Sequence, residues 1–464
     1  MAIRWSRVEL YLSVLTCKGL FATLRERFQY VPTPRVPSAG DTPVAGASVE
    51  HREPTRPGRE DSLGLPRYYD YAGAVHVHST YSDGAGTVQE IADAANHAGL
   101  DFVVLCDHAS LEARRDGLDG WHGRTLIVVG TELTTDTGHL LALNVPDSIL
   151  PASNNASEAQ EQIVRQGGIG FIALPCDLKD HWDDFTLRNP LIGLEVFNLS
   201  AIARTKINLP TMALVWSRYR AGNPHDAFHW VAARPARELK LWDSLICDSR
   251  VDDNESYRPV VGIGSIDAHG IMKFAGRSYN VPTYAEVFRT LRTHILLAEP
   301  LSGGDAVNHV EPGNVRDIDL AAVHSAIAKG HSYFAYDNYA DSTGFLFECV
   351  TPNSRALMGE SIPAGTGQPI FANRIVVRAP KTRSFIRLYR NGKLVAVARG
   401  GTLQYIAQQS GAYRAEVFLY RHRIGNMCLN AKPWIFSNPI YIQPPAIDRV
   451  SARLREANAA HRSA

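Results

Sequence analysis

Two histidines one residue apart, followed by a carboxylate, are the first residues in this chain with the spacing of a metal site. His76 and His78 follow the apolar run Ala72–Val75, and Asp83 comes shortly after in a Ser-Asp-Gly turn. If the run is a β-strand, both imidazoles point to one face and can reach one metal ion. Imidazole and carboxylate ligands suit zinc, manganese or iron. By itself the spacing fits two histidines on a solvated strand equally well.

Further histidines and carboxylates occur where other predicted strands end. Apolar runs at 102–105, 126–130 and 260–265 are each followed by such residues, and another histidine precedes the run at 140–143. The candidates are His76, His78, Asp83, His108, Glu132, His139, Asp267 and His269. Any one of them could simply cap a helix. Because eight occur in one α/β unit, nearly all of them at strand ends, the sequence predicts a metal site.

The elements that would carry these residues alternate between strands and helices. Thr87 and Glu90 form a capping-box pattern, and they predict a helix that ends at Gly99. A second helix is predicted over about 156–166. Continuous apolar runs between the helices are typical of strands buried on both faces. This alternation predicts a parallel α/β fold, in which active sites lie at the carboxyl ends of the strands.

The pattern changes after about residue 346, where short strand-like runs dominate and Asn391-Gly392 predicts a hairpin turn. We therefore predict four parts. Residues 1–65 comprise an N-terminal helix and a flexible Pro-rich arm, and 66–345 form the α/β unit. Residues 346–446 form a small all-β, sandwich-like domain, and 447–464 form a tail.

The bulk composition is that of a globular protein. The 464 residues are 45% hydrophobic, with 48 Lys and Arg against 47 Asp and Glu, so no nucleic-acid partner is expected. The six cysteines show no metal-finger spacing and no disulfide framework. No apolar run approaches the roughly 20 residues of a membrane span. These features favour a cytoplasmic location, although the N-terminal segment leaves peripheral membrane contact or export open. The oligomeric state cannot be read from the sequence.

The order of the motifs resembles that of the PHP (polymerase and histidinol phosphatase) family. The series comprises His76-x-His78 with Ser82-Asp83-Gly84, Asp107-His108, Glu132, Gly138-His139 and Asp267-x-His269. Segments such as 194–198, 241–245 and 433–441 are similar to the carbaryl-hydrolase-like CehA/McbA branch. The resemblance covers about residues 68–445. It implies a distorted (β/α)7, TIM-like barrel that holds two or three divalent metal ions (Zn, Mn or Fe).

One residue departs from the pattern of this family. The family carries Ala-His-Pro, whose histidine is a metal ligand, where this chain has Ala173-Leu174-Pro175. Leucine cannot bind a metal, so one ion should be weakly held or absent unless Cys176 or His181 substitutes. A buried, inert thiol is the simpler interpretation of Cys176.

The resemblance also implies roles for the candidates. Glu132 would bridge two ions, and Asp267 and His269 would join it as catalytic residues. One site would comprise His76, His78 and Asp267, a second Asp83, His108 and His269, and His139 would belong to the third, weakened site.

The expected activity is hydrolysis of a phosphoester in a small molecule by a metal-bridging hydroxide. Two alternatives remain open: hydrolysis of a carbamate, amide or carboxylic ester on the same site, or a catalytically decayed scaffold or binding protein. Lys273, Arg277 and His294 follow the last motif, and we predict them as candidates for phosphate binding. An ordinary solvated surface explains these three residues equally well.

Overall fold

The structure is a computed structural model, and it describes residues 28–30, 68–149, 154–177, 181–183, 185, 193–206, 209–221, 233–248, 250–251, 256–274, 277–279, 281–303, 312–364, 373–424 and 427–444. The predicted N-terminal helix, the Pro-rich arm and the tail lie outside these residues. The helices are α1 (Val88–Ala98), α2 (Glu112–Arg115), α3 (Ala156–Arg165), α4 (Leu199–Lys206), α5 (Leu209–Arg220), α6 (Ala236–Asp248), α7 (Tyr284–Val287) and α8 (Pro312–Lys329).

Strands occur throughout the described chain. Up to residue 335 they are β1 (Phe28–Tyr30), β2 (Tyr69–Val77), β3 (Phe102–His108), β4 (Gly120–His122), β5 (Thr125–Thr135), β6 (Gly138–Leu143), β7 (Ile169–Ala173), β8 (Gly193–Asn198), β9 (Arg250–Val251), β10 (Ser256–Tyr257), β11 (Gly262–Ser265), β12 (Met272–Phe274), β13 (Arg277–Tyr279), β14 (Arg292–Leu297) and β15 (Ser332–Ala335). The later strands are β16 (Leu346–Val350), β17 (Arg355–Leu357), β18 (Ser361–Pro363), β19 (Asn373–Arg378), β20 (Ser384–Arg390), β21 (Lys393–Arg399), β22 (Thr402–Ala407), β23 (Gly411–Leu419), β24 (His422–Ile424), β25 (Met427–Leu429), β26 (Lys432–Ser437) and β27 (Ile440–Gln443).

The helix α1 forms where its sequence predicts it. The side chain of Thr87 caps the backbone of Glu90, and Glu90 returns the hydrogen bond in a capping box. The helix ends at Gly99, which has φ +70°. Residues such as Ile91 and Ala95 form the buried face, which packs on the sheet. The prediction of this helix is confirmed, and α3 likewise lies within one residue of its predicted range.

A single large sheet joins most of the strands. Its order is β11-β8-β7-β6-β5-β3-β2-β14-β15-β26-β23-β20-β21, with β4, β18 and β27 paired at its sides. The pairs β2/β3, β3/β5, β7/β8 and β8/β11 are parallel, as the α/β prediction expects. The class is therefore mixed α/β with a large sheet.

Two features depart from the predicted parallel barrel. Strand β6 is antiparallel to both β5 and β7, because only Asp136 and Thr137 separate β5 from β6 and so short a link cannot hold a crossover helix. Strands β14 and β15 are also antiparallel, and β15 pairs onward with β26. The sheet order does not show a closed (β/α)7 barrel.

The C-terminal region contains strands only, within its described residues. Strands β17-β16-β19-β22 form a second sheet, which shares one hydrophobic core with the end of the large sheet. Asn391 and Gly392 form the predicted hairpin turn between β20 and β21, with φ values of +48° and +72°. Strand β26 pairs with β15, so the large sheet continues across the predicted domain boundary at 345/346. The boundary itself stays a prediction. None of the described helices combines the length and apolar character that crossing a membrane requires.

Candidate metal centre

His76 and His78 come together at the end of β2 through a bulge. The β2/β3 register shifts between Val75 and Val77, and His76 has a left-handed backbone with φ +67°. The two rings are fully buried, with centroids 5.0 Å apart. The sequence predicted that both imidazoles would converge, and they do. The two rings converge because of the bulge, and the two-residue period of a regular strand does not explain their positions.

Glu132, on β5, lies at the centre of the histidines. Its Oε2 is 3.3 Å from His76 Nε2, 3.4 Å from His78 Nε2 and 3.2 Å from His108 Nδ1. Its Oε1 is 3.2 Å from His139 Nδ1. These contacts arise because β5 lies between β3 and β6, which carry the last two histidines. One carboxylate therefore reaches four imidazoles, as a bridging ligand would need to do.

Asp83 folds back over the end of β2. Its Oδ1 is 3.2 Å from His269 Nε2 and 3.6 Å from His108 Nε2. It also lies 3.8 Å from His78 Nδ1. The turn needs glycine at position 84, since a Cβ on Gly84 would lie 2.3 Å from the carbonyl oxygen of His78. The Ser-Asp-Gly turn thus places a carboxylate against three imidazoles.

Asp267 follows β11 and completes the cluster. Its Oδ1 is 3.5 Å from His78 Nε2, 3.6 Å from His269 Nδ1 and 3.8 Å from His76 Nε2. Its Oδ2 is 3.5 Å from Arg204 Nη2. All eight candidates from the sequence therefore lie in one cluster, although their individual roles remain predictions.

Arg204 is a cationic residue beside this cluster that the sequence analysis did not assign to the site. It lies near the end of α4, and its Nε is 3.4 Å from Asp177 Oδ2. Its side chain is 42% exposed, whereas those of Asp177 and Asp267 are 2% and 9% exposed. The side chain therefore borders the cluster and is partly exposed to solvent. No sequence pattern distinguishes it from other basic residues at helix ends.

Glu195 supports the cluster from behind and was also missed. Its Oε1 is 2.6 Å from His76 Nδ1, and its Oε2 accepts hydrogen bonds from the Leu174 N–H (2.9 Å) and Asn198 Nδ2 (3.0 Å). The contact with Nδ1 orients the His76 ring so that Nε2 faces Glu132. Carboxylates that accept a hydrogen bond from a metal-binding histidine have the same effect. A sequence signal existed, because a Glu within the apolar run 191–198 must find a partner once it is buried.

Asp107 fixes the loop that leads to Asp83. It accepts hydrogen bonds from the Ser79 N–H (2.7 Å) and the Ser79 hydroxyl (2.6 Å). The Ser82 hydroxyl donates to it as well (2.6 Å). The acidic half of the Asp107-His108 pair therefore has a structural partner, while the histidine faces the cluster.

Charge and burial act in opposite directions on the pKa values of the cluster. Burial raises the pKa of Glu132, but the charge of His76 and the other imidazoles outweighs it and holds the pKa well below its usual value. The pKa of Asp267 is also lowered, because His78 and its neighbours outweigh burial. Burial lowers the pKa of His78, whereas Glu195 and Glu132 outweigh burial at His76 and raise its pKa. Both central carboxylates are therefore anionic at neutral pH.

This set of donors fits divalent metal ions. Two groups have ligand atoms within 4.8 Å of one another: His76, His78 and Asp267, and His78, Asp83, His108 and His269. The Nε2 atoms of His76 and His78 are buried and make no hydrogen bond. Leaving buried polar atoms unpaired is costly, and a metal ion would relieve that cost. Imidazole nitrogen with carboxylate oxygen suits zinc, manganese or iron.

No substitute ligand appears beside Leu174 in the described chain. Leu174 is buried with φ +50°, and neither Cys176 nor His181 belongs to the groups of close ligand atoms. His181 Nε2 instead lies 2.8 Å from Asp183 Oδ1. Burial raises the pKa of the Cys176 thiol to about 11, so it is protonated at neutral pH.

The predicted phosphate-binding residues have different outcomes. Lys273 and Arg277 lie on β12 and β13, and their side chains fall outside the described part of the structure, so that role stays a prediction. The prediction for His294 is wrong. This residue is fully buried between Asp70 and Asp337, with ring nitrogens 2.8 Å and 3.0 Å from their carboxylates.

Comparisons with known proteins give structural likenesses only. No family model matches the sequence, and no curated protein matches it. Among solved structures, the chain is similar to a two-domain protein from Bacteroides vulgatus that contains a predicted PHP-like metal-dependent phosphoesterase. The identity is 12% and the TM-score 0.36, over 83% of this chain and 99% of that one.

Two further solved structures cover about half of the chain. One is a candidate metal-dependent phosphoesterase from Bifidobacterium adolescentis, at 14% identity and a TM-score of 0.27, covering 46% of this chain and 89% of that one. The other is an amidohydrolase from Chromobacterium violaceum, at 14% identity and a TM-score of 0.25, covering 46% and 92%. Because these scores are low, we draw no functional conclusion from them, and the metal-ligand geometry carries the functional assignment.

Proposed function

We propose that this protein is a metal-dependent hydrolase that cleaves a phosphoester bond in a small molecule. The observation that carries the proposal is the cluster itself, in which imidazole and carboxylate atoms converge within 4.8 Å in two overlapping groups. Glu132 reaches imidazoles of both groups. Structural ion pairs on their own would not leave two buried imidazole nitrogens without hydrogen bonds.

The residues divide into ligands and supports. His76, His78 and Asp267 would hold one ion, and Asp83, His108 and His269 an adjacent one, with Glu132 between them. Bound divalent ions lower the pKa of a water molecule and stabilise negative charge that develops on the substrate. Glu195 fixes the orientation of His76, so that its Nε2 faces Glu132 and would be available to hold an ion. We propose two ions rather than three, because Leu174 offers no ligand.

Arg204 favours an anionic substrate. Its guanidinium lies 3.5 Å from the carboxylate of Asp267, and its side chain is 42% exposed, so an approaching anion can reach this side chain from solvent. Arginine donates paired hydrogen bonds that match the oxygens of phosphate. A neutral carbamate, amide or carboxylic ester would not use this charge. We therefore rank the phosphoester first and keep those bonds as the alternative.

The finer assignment to a PHP barrel of the CehA/McbA branch is part of this proposal. The motif series supports the PHP assignment, and segments such as 194–198, 241–245 and 433–441 support the branch. Backbone contacts between the carboxyl ends of β11 and β2, the first and seventh strands in the sheet order, support the barrel. The Ile266 N–H donates to Val75 O (3.0 Å), and the His78 N–H donates to Ala268 O (2.9 Å). Such contacts are those that a distorted seven-stranded barrel would use to close.

The test is metal content by mass spectrometry together with hydrolysis of p-nitrophenyl phosphate, bis-p-nitrophenyl phosphate and a naphthyl carbamate. We expect about two ions per chain and cleavage of a phosphoester, with both lost in His78→Ala. His97→Ala is the matched control, since His97 is an exposed histidine on α1. Cleavage of the carbamate alone would select the alternative. A chain without metal that stays inactive after manganese or zinc is added would make the decayed scaffold the better assignment.

A further inference from the structure

The end of β2 and the segment after β11 meet at the metal centre through backbone hydrogen bonds. The Ala268 N–H donates to the carbonyl oxygen of His76 (3.1 Å), and the His78 N–H donates to that of Ala268 (2.9 Å). Beyond His78, a side chain from a third element continues the connection between the two segments.

The hydroxyl of Tyr284, the first residue of α7, makes this connection. It lies 2.9 Å from the carbonyl oxygen of His78 and 2.9 Å from that of His269, so the two oxygens share its single hydrogen. It also accepts a hydrogen bond from the Gly86 N–H (3.2 Å). One hydroxyl therefore joins the end of β2, the segment after β11 and the loop between β2 and α1.

These three segments carry ligands of the second group of close ligand atoms. His78 and His269 belong to this group, and Asp83 lies in the loop that leads to Gly86. The loop is also joined directly to the segment after β11, since the Ala85 N–H donates to the carbonyl oxygen of His269 (2.8 Å). Hydrogen bonds behind the ligands determine how precisely a metal site is held. The Tyr284 hydroxyl is therefore placed to fix the spacing of three ligands.

The first group, which contains His76 and Asp267, has other supports. Glu195 orients the His76 ring at 2.6 Å, and the backbone of His76 is bonded to Ala268. The side chain of Asp267 is 9% exposed, whereas that of Asp83 is 49% exposed and extends from a loop. An exposed ligand on a loop depends more on the contacts that hold the loop. Loss of the hydroxyl should therefore affect the second ion more than the first.

Packing holds the Tyr284 ring in place for these hydrogen bonds. Tyr284 is 8% exposed and belongs to the same hydrophobic core as Ile91 of α1 and Phe288. Two glycines leave room for the ring, because a Cβ on Gly86 or Gly270 would lie 2.8 Å or 2.4 Å from its Cε2 atom. The ring is therefore fixed by its surroundings, with its hydroxyl at the junction of the three segments.

We propose that Tyr284 is a positioning residue that sets the affinity of the second metal ion. Its hydroxyl is occupied by backbone groups, so it acts through the ligands and is not one of them. The inference rests on the proposed function, because it requires the two ions of that proposal.

The test is a stepwise titration of the full-length protein with manganese against a competing chelator. Tyr284→Phe keeps the ring and removes the hydroxyl. We expect the dissociation constant of the second ion to rise about 10- to 100-fold, as when other partners behind metal ligands are removed. The dissociation constant of the first ion should stay the same. After dialysis, metal content by mass spectrometry should fall from about two ions per chain to about one.

Tyr336→Phe is the matched control. The Tyr336 hydroxyl is also buried, donates to the carbonyl oxygen of Ala233 (2.9 Å) and accepts from the N–H of the same residue (3.3 Å). Since Ala233 carries no ligand, this variant should bind both ions as the wild type does. Excess manganese should restore hydrolysis of p-nitrophenyl phosphate in Tyr284→Phe, because all of its ligands remain.

The outcomes separate this inference from the proposed function. Two ions bound by Tyr284→Phe with unchanged affinity would overturn the inference and leave the hydrolase proposal intact. Equal weakening of both ions, the same weakening in Tyr336→Phe, or a Tyr284→Phe chain that does not fold would also overturn it, since the hydroxyl would then serve the fold in general. A wild-type protein that binds no metal would remove the proposed function and this inference together.

Discussion

A buried carboxylate that touches no substrate can still control a metal site, and Glu195 is that residue here. It contacts His76 Nδ1 at 2.6 Å and is fully buried. Glu195→Gln would keep the shape but remove the negative charge that favours the proper orientation and basicity of the ring. We expect metal affinity to fall about 10- to 100-fold. Titration against a competing chelator measures the metal affinity. Glu161→Gln, on the exposed face of α3, is the control. Unchanged affinity would show that Glu195 serves only the fold.

Arg204 separates substrate binding from metal binding. We expect Arg204→Gln to raise KM for p-nitrophenyl phosphate about 10- to 100-fold, since hydrogen bonds to charged groups contribute roughly 1.5–3 kcal/mol. Metal content should stay the same, and Arg204→Lys should recover part of the loss. Hydrolysis of a neutral naphthyl ester should change little. A fall in kcat for both substrates, with KM unchanged, would contradict a role in binding the anion. Arg165→Gln is the control, since Arg165 is exposed on α3.

Elements in this chain are also joined by a buried charge cluster away from the metal site. His294 on β14 lies between Asp70 on β2 and Asp337 after β15. The Tyr333 hydroxyl donates to Asp70 at 2.6 Å, and the Ser342 hydroxyl donates to Asp337 at 2.6 Å. Burial lowers the pKa of His294, but the two carboxylates outweigh it and raise the pKa to about 10.

This pKa gives the stability a predictable dependence on pH. An unfolded histidine has a pKa of about 6.5. The contribution of His294 is therefore fully present below pH 6.5 and is lost as the pH rises towards 10. We expect His294→Gln to cost about 3–5 kcal/mol of unfolding free energy at pH 6. The difference from wild type should shrink by pH 10. Urea unfolding at several pH values measures this difference in unfolding free energy. A difference that stays constant with pH would show that His294 is not the charged group that stabilises the fold.

Regular elements were predictable from the sequence, and irregular backbone was not. The capping box at Thr87 and the Asn391-Gly392 turn determine local structure through nearby residues, so a short window contains the information. The bulge at His76 depends on how β2 meets β3, and the place of β6 depends on its two neighbours. His294 illustrates the same limit. The sequence predicts phosphate binding or an ordinary solvated surface for His294, because its partners, Asp70 and Asp337, are 224 and 43 residues away.

At the scale of the whole molecule, the C-terminal strands and the α/β half share a sheet and a buried charge network. Strand β26 pairs with β15. Arg414 donates to both oxygens of Asp243 on α6, each at 2.7 Å, and Arg234 donates to both oxygens of Glu416, each at 2.7 Å. The guanidinium of Arg414 also lies over the ring of Tyr389, 4.6 Å from its centroid. Separate unfolding of the two regions would break this network and the sheet.

We therefore expect the described chain to unfold in one cooperative transition, although its sequence reads as two domains. Glu416→Gln removes the one anion between two guanidinium groups, and breaking such a buried pair costs about 3–5 kcal/mol. The whole transition should move to lower temperature in calorimetry, and loss of bound metal should coincide with it. Glu161→Gln, on the exposed surface of α3, should leave the transition in place. Two separate transitions, of which Glu416→Gln shifts only one while the metal stays bound, would show instead that the C-terminal strands fold as an independent unit attached to a stable α/β half.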